Sequence, residues 1–181
     1  ILSEDTIFEN KAVATIGFFD GVHRGHQFLL KHVVDLAHEN DMESMAITFD
    51  KHPRQVLNAD YQPQLLTTLD DKLKLLAETG IDHCVVLPFT KVLAALSAYD
   101  FMDKIMRTKL GVAKLLIGYD NRFGHNRSET FDDYVRYGKE MGIEVVQNTA
   151  LDVEGIMVSS SVVRRLISNG DVETAAKCLG R

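Results

Sequence analysis

Apolar stretches alternate with amphipathic ones along the whole chain. Residues 12–19 (AVATIGFF), 44–49 (SMAITF), 84–87 (CVVL), 113–118 (AKLLIG) and 143–147 (IEVVQ) are rich in Val, Ile and Phe and bounded by Gly, Asp or Pro. Short runs of that kind between turn formers predict buried strands. The segments between them have a helical period. In 27–38, Leu29, Leu30, Val33, Leu36 and Ala37 recur at intervals of three and four, which places them on one side of a helix. Residues 68–78 open with Thr-x-x-Asp and stop before Gly80, a capping-box variant followed by a helix-ending glycine. Residues 100–110 and 129–139 follow the same logic. Strands separated by helices of this length need right-handed crossovers, so they predict a parallel sheet with helices on both faces. The expected fold is α/β and doubly wound, with about five strands. No internal repeat or low-complexity segment interrupts it.

Two segments follow neither period. Residues 51–67 hold two of the three prolines and predict a long loop after the second strand, of the kind that often serves as a lid. Residues 120–127 (DNRFGHNR) form a polar loop after the fourth strand. Ligands of open parallel sheets bind at the carboxyl ends of the strands. Both loops, and the turn after the first strand, belong to that edge.

Composition narrows the function classes. The 181 residues are 45% hydrophobic and 25% charged, the make-up of an ordinary globular domain rather than a disordered or fibrous chain. The apolar run Cys84–Phe89 falls far short of the roughly 20 residues of a membrane span. No segment has the basic and apolar regions of a signal peptide. Cys84 and Cys178 form no C-x-x-C motif, so the expectation is a reduced, cytoplasmic protein with no membrane partner. The formal net charge of −6 argues against a nucleic-acid partner. Six Lys/Arg and one Asp between Lys104 and Arg127 nevertheless give that stretch +5, which suits a small anionic ligand, although a solvated face has the same signature. The first residue is Ile, so the chain is expected to be cut from something longer.

The chemistry concentrates after the first strand, in FFDGVHRGH (residues 18–26). Gly21 and Gly25 permit a tight turn and close backbone approach. The helix that follows presents N–H groups and the positive end of its dipole, a site for phosphate. His23 and His26 stand three apart on its first turn, so both imidazoles can face one anion. The segment is neither a Walker loop nor the dinucleotide fingerprint. Two imidazole donors plus backbone N–H groups suit charge developing on a transferring phosphoryl or nucleotidyl group. No metal-ligating set is expected, because the remaining histidines supply no second close pair with a cysteine and a structural zinc needs four ligands.

TIGFFDGVHRGH resembles the signature of the HxGH nucleotidyltransferase superfamily, and more narrowly the FMN adenylyltransferase (FAD synthetase) part of bacterial bifunctional riboflavin kinase/FAD synthetases. Three more segments agree in order. Phe49-Asp50-Lys51-His52-Pro53 is similar to F-x-P-H-P, with Lys51 where proline is common. Gly118 to Gly124 (GYDNRFG) resembles G-x-D-F-R-F-G, with Asn121 in place of Phe. Val158 to Arg164 (VSSSVVR) resembles I-S-S-T-x-I-R. The likeness covers nearly the whole chain.

That resemblance implies a Rossmann-like sheet and the transfer of adenylyl from ATP to FMN, giving FAD and pyrophosphate, with Mg2+ held mainly by the substrate phosphates. It implies catalytic roles for His23, His26 and Arg164. ATP would lie on Gly17, Phe18, Phe19, Asp20, Gly21, His23, Gly25, His26, Asp120, Ser159, Ser160 and Arg164. FMN would lie on Phe49, His52, Pro53, Asp120, Arg122 and Arg127. Ser159 or Ser160 can equally be plain helix caps, and Asp20 can order the turn or contact a metal-bound phosphate. Alternatives are another phosphorylated acceptor (phosphopantetheine, nicotinate mononucleotide or glycerol-3-phosphate) or a non-catalytic nucleotide- or flavin-binding module. The whole of 1–181 is expected to be the adenylyltransferase domain, with a covalently linked riboflavin kinase domain following in the full-length protein.

Overall fold

A computed structural model describes residues 10–52, 65–118, 130–148, 151–153 and 155–180. Five strands form one parallel sheet: β1 (Ala12–Ile16), β2 (Glu43–Phe49), β3 (His83–Leu87), β4 (Val112–Ile117) and β5 (Glu144–Gln147), in the order β3-β2-β1-β4-β5. Helix α1 (Arg24–Glu39) joins β1 to β2, and α2 (Leu69–Ala77) precedes β3. A short α3 (Lys91–Ala94) and α4 (Ala98–Asp100), which runs on as a π-helical stretch Phe101–Arg107, lead to β4. Helix α5 (Phe131–Met141) precedes β5. A small antiparallel hairpin, β6 (Asp152–Val153) with β7 (Ile156–Met157), is followed by α6 (Ser160–Ser168) and α7 (Val172–Leu179).

Alternate residues of each strand enter opposite cores. Ala12, Ala14 and Ile16 of β1 join Met45, Ile47, Val85, Leu87, Phe101, Met102 and Tyr134. Val13 joins Ala46, Leu116 and the inner side of α1, Leu29, Leu30, Val33 and Ala37. Strands buried on both faces read as continuous apolar runs, which is why the strand pattern was legible. The expected and observed strands agree within a residue or two except at the first. There the sequence predicts a strand to Phe19, but the ladder stops at Ile16, with Gly17 N–H still bonded to the Ile47 carbonyl at 3.0 Å. The apolar Phe18 and Phe19 belong to a turn instead.

Helix starts are set by their caps. Thr68 accepts from Asp71 N–H at 3.2 Å, as the Thr-x-x-Asp pattern requires. Helix α5 starts at Phe131, not at 129, because Thr130 and Asp133 complete a capping box. The helix expected over 100–110 is largely π-helical, with Thr108 and Leu110 N–H groups bonding five residues back to Asp103 and Ile105. Cys84 and Cys178 are not joined in a disulfide. No helix of the described residues is long and apolar enough to cross a membrane.

Candidate functional site

The sheet grows from β1 in both directions, toward β2 and β3 first and then toward β4 and β5. The reversal falls between β1 and β4, and the crevice outside the carboxyl ends of such a strand pair is where doubly wound sheets bind ligands. The segment leaving β1 there is the glycine- and histidine-bearing turn.

The turn departs from the sheet through unusual backbone. Phe19 is left-handed (φ 58°), and Gly21 has φ 83°. A Cβ at Gly21 would come within 2.7 Å of Leu66 Cδ1. His23 then takes an extended conformation and caps α1, its Nδ1 accepting from the His26 backbone N–H at 3.2 Å. Because Nδ1 accepts, the neutral His23 ring carries its proton on Nε2. Capping by His23 also explains why α1 begins at Arg24, ahead of the apolar pattern that opens at Gln27. Gly25 is required by the same arrangement: a Cβ there would lie 2.9 Å from His23 Cε1 and 3.3 Å from the Val158 carbonyl.

The two imidazoles are stacked, centroids 3.6 Å apart and 17° from parallel, and Phe19 meets His26 edge-on at 5.2 Å. Burial, then the neighbouring His23, then Lys72 push the His26 imidazole well below its ordinary value. His26 is therefore neutral near pH 7, as stacking against a second imidazole favours. Its Nδ1 is buried with no hydrogen-bond partner among the described residues. A buried orphan of that kind is costly unless something fills it.

Asp20 ties this turn to two distant segments. The side chain is 3% exposed. Its Oδ1 accepts from Leu66 and Thr67 N–H groups at 2.9 and 3.1 Å, and Oδ2 accepts from Leu66 N–H at 3.0 Å and from the Arg164 guanidinium. Its backbone carbonyl accepts from Ser160 Oγ at 2.8 Å. Ser159 caps α6, accepting from Val162 N–H at 3.2 Å. The α6 N-terminus is thereby fixed beside the α1 N-terminus, two positive dipole ends with two imidazoles and one arginine. From the third side, Gln27 donates to the carbonyls of Val22 (2.8 Å) and Leu179 (3.0 Å).

Of the residues expected to take ATP, the structure thus brings together Gly17, Phe18, Phe19, Asp20, Gly21, His23, Gly25, His26, Ser159, Ser160 and Arg164. Arg164 meets the group through Asp20. Of those expected to take FMN, Phe49 is buried in the core at the end of β2, edge-on to Phe89 at 5.1 Å. The His52 ring meets Phe18 at 5.0 Å. Pro53, Asp120, Arg122 and Arg127 lie outside the described residues. Among the described residues no cluster of three His, Cys, Asp or Glu side chains is placed to hold a metal.

Sequence reasoning missed Lys72, which is buried at the ends of β1 and β2 and bonded to Phe18, Thr48 and Phe49. It also missed Leu66 and Thr67 as anchors of Asp20. A signal for Lys72 existed: it falls between Leu69, Leu73 and Leu76 on the apolar stripe of α2, where a lysine is out of place.

Residues 5–162 match the family model described as FAD synthetase. The chain is 33% identical over 168 residues to the bifunctional riboflavin kinase/FMN adenylyltransferase of Escherichia coli K12, covering 93% of this chain and 54% of that protein. The Pseudomonas fluorescens protein of the same name is 36% identical over 169 residues, with 93% and 54% covered. The chain therefore spans about half the length of these curated relatives. Among solved structures, one described as a macrolide-efflux protein from Streptococcus pneumoniae superposes with a TM-score of 0.87 at 25% identity, covering 99% of this chain and 60% of that one.

Proposed function

This chain belongs to the FAD synthetase family, and from that membership we propose that it transfers the adenylyl group of ATP to FMN. A phosphate oxygen of FMN attacks the α-phosphorus in line, the bond to the β-phosphate breaks, and FAD and pyrophosphate leave. The observation that carries this reading is the stacked His23–His26 pair at the start of α1, locked to the α6 N-terminus through Asp20.

No covalent intermediate is needed, so the protein's work is positioning and charge stabilisation. His23 would donate from Nε2 to the triphosphate, since its Nδ1 is committed to the helix cap. His26, neutral and poorly solvated, would donate to the charge that grows in the transition state, where a preorganised donor is worth more than in water. The α6 N-terminus with Ser159, Ser160 and Arg164 would hold the departing pyrophosphate, Asp20 keeping the guanidinium aimed. Phe49 and His52 border the proposed flavin side, with Pro53, Asp120, Arg122 and Arg127 proposed to complete it. Mg2+ would arrive with ATP as part of the substrate, keeping phosphate and water ligands. Asp20 would not be among its ligands, since both its carboxylate oxygens accept from Leu66, Thr67 and Arg164. In the full-length protein a riboflavin kinase domain is proposed to accompany this one.

The test is chromatography of the chain incubated with Mg2+, ATP and FMN, scored for FAD and pyrophosphate. FAD should form, and His26→Ala should lower kcat by on the order of 100-fold, the scale of one lost transition-state donor. A His26→Ala variant near the wild-type rate would remove His26 from the chemistry. Binding of ATP without binding of FMN would make the acceptor wrong.

A further inference from the structure

Lys72 is 2% exposed and reaches from α2 into the fork where β1 and β2 end. Its Nζ donates to the Phe18 carbonyl at 2.9 Å, to Thr48 Oγ1 at 3.1 Å and to the Phe49 carbonyl at 3.1 Å. An ammonium has three protons to give, a neutral amine two. Three acceptors therefore match the charged form and leave the neutral form one donor short. Thr48 spends its own proton on the Phe18 carbonyl at 3.0 Å, so toward Lys72 it can only accept. The ammonium also sits 4.0 Å from the centroid of the Phe18 ring, an attraction that needs the positive charge. No carboxylate among the described residues forms an ion pair with it. A buried cation held by carbonyls rather than by a counter-ion is poor scaffolding, since an apolar side chain would fill the space at lower cost.

We propose that Lys72 is a positioning residue for nucleotidyl transfer: as an ammonium it draws the Phe18 and Phe49 carbonyls together and so sets the path of the turn that carries His23 and His26. The role rests on the adenylyl-transfer reading above. Burial brings the amine from 10.5 down to about 8, while Cys84 of β3, Asp20 after β1 and Asp50 after β2 pull toward the charged form. Burial also pushes the Cys84 thiol up, with the Lys72 charge pulling the other way. On the α1 side the charge opposes protonation of His26.

The sign of this titration separates positioning from scaffolding. The folded value lies below that of the free side chain, so between about pH 8 and 10.5 the unfolded chain holds the extra proton. Lys72's contribution to stability therefore rises through that window. The clamp weakens as the window is entered. Stability and activity move in opposite directions, which a structural role does not allow.

The experiment measures kcat/KM for FAD formation from MgATP and FMN between about pH 6.5 and 9.5, a range bracketing the titration. It is run on wild type, Lys72→Met and Thr48→Val, alongside urea unfolding and a 13C NMR titration of the Lys72 ε-methylene in wild type and Thr48→Val. In wild type, kcat/KM should fall above a midpoint that coincides with the NMR midpoint and level off at about a tenth of its neutral-pH value, carried by kcat more than by KM. Thr48→Val keeps the cation and removes one acceptor, so both midpoints should move together to lower pH by roughly half a unit to one unit. Lys72→Met should be slower by about tenfold at neutral pH and lack the alkaline limb. An ε-methylene that titrates near its ordinary value, a limb that persists in folded Lys72→Met, or midpoints that part company in Thr48→Val would each overturn the role. FAD formation without an alkaline limb sinks Lys72 alone, whereas no FAD at any pH sinks the activity from which the role follows.

Discussion

Replacing Asp20 by alanine tests whether one buried carboxylate holds the three segments that converge on the site. The change leaves the Leu66 and Thr67 N–H groups without their acceptor, in a place where Asp20 itself was 3% exposed. Each buried donor left unpaired costs about 1–3 kcal/mol, toward the lower end where water enters the space vacated. Arg164, with its side chain 24% exposed, can turn toward solvent, so its lost pairing adds on the order of 1 kcal/mol. The sum is about 4 kcal/mol, within the range for breaking a buried pair by removing one partner. For a domain of this size that corresponds to a fall in Tm of roughly 8–16 °C, readable by circular dichroism. Asp20→Asn is the sharper probe. Its amide oxygen can still serve Leu66 and Thr67, but its NH2 faces the Arg164 guanidinium, donor against donor. Adding Arg164→Met to Asp20→Asn should therefore recover stability, with a coupling of about 1–2 kcal/mol in the double-mutant cycle. A Tm for Asp20→Ala within about 2 °C of wild type, under 1 kcal/mol at this size, or strict additivity of Asp20→Asn and Arg164→Met, would show that Asp20 is not the tie.

Gly25→Ala should push the His23 ring off its stack on His26, because the new Cβ would stand 2.9 Å from His23 Cε1. We expect a loss of about 1–3 kcal/mol in urea unfolding and a fall in FAD formation of on the order of tenfold or more; full activity would show that the stacked geometry is dispensable. Burial, His23 and Lys72 hold the His26 imidazole below its ordinary value. As pH drops from about 6.5 toward that lowered value, the unfolded chain takes up a proton that the folded chain refuses, so stability falls. His26→Gln should flatten this acid limb, and urea midpoints that track wild type between about pH 7 and pH 5 would contradict the assignment.

The sheet and its crossover helices were legible because burial on both faces writes contiguous apolar runs, and because Thr68 announces its helix. The first strand was overextended for the same reason. Phe18 and Phe19 are as apolar as the strand, and only the left-handed backbone at Phe19 and Gly21 turns them out of it. His23 hid the true start of α1 because imidazole is an unusual cap. The hairpin of β6 and β7 and the helix α7 were not anticipated, being too short to build up a period.

The site divides along a similar line. His23, His26, Ser159 and Ser160 lie in short local motifs, and local motifs can be read from sequence. Their connections cannot: Asp20 reaches Leu66 across 46 residues and Arg164 across 144, and no periodicity encodes such pairings. Two residues that make these connections did leave a trace. Lys72 sits on the apolar stripe of α2 between Leu69 and Leu76, and Asp20 lies in an otherwise apolar turn beside Phe19 and Val22. A charge placed where the hydrophobic pattern demands an apolar residue is costly enough that something must compensate it. Here the compensation is three carbonyl or hydroxyl acceptors for Lys72, and two backbone N–H groups with a guanidinium for Asp20. Those compensating bonds are the ones that fix the turn bearing both histidines, so the breaks in the folding pattern mark the support of the site.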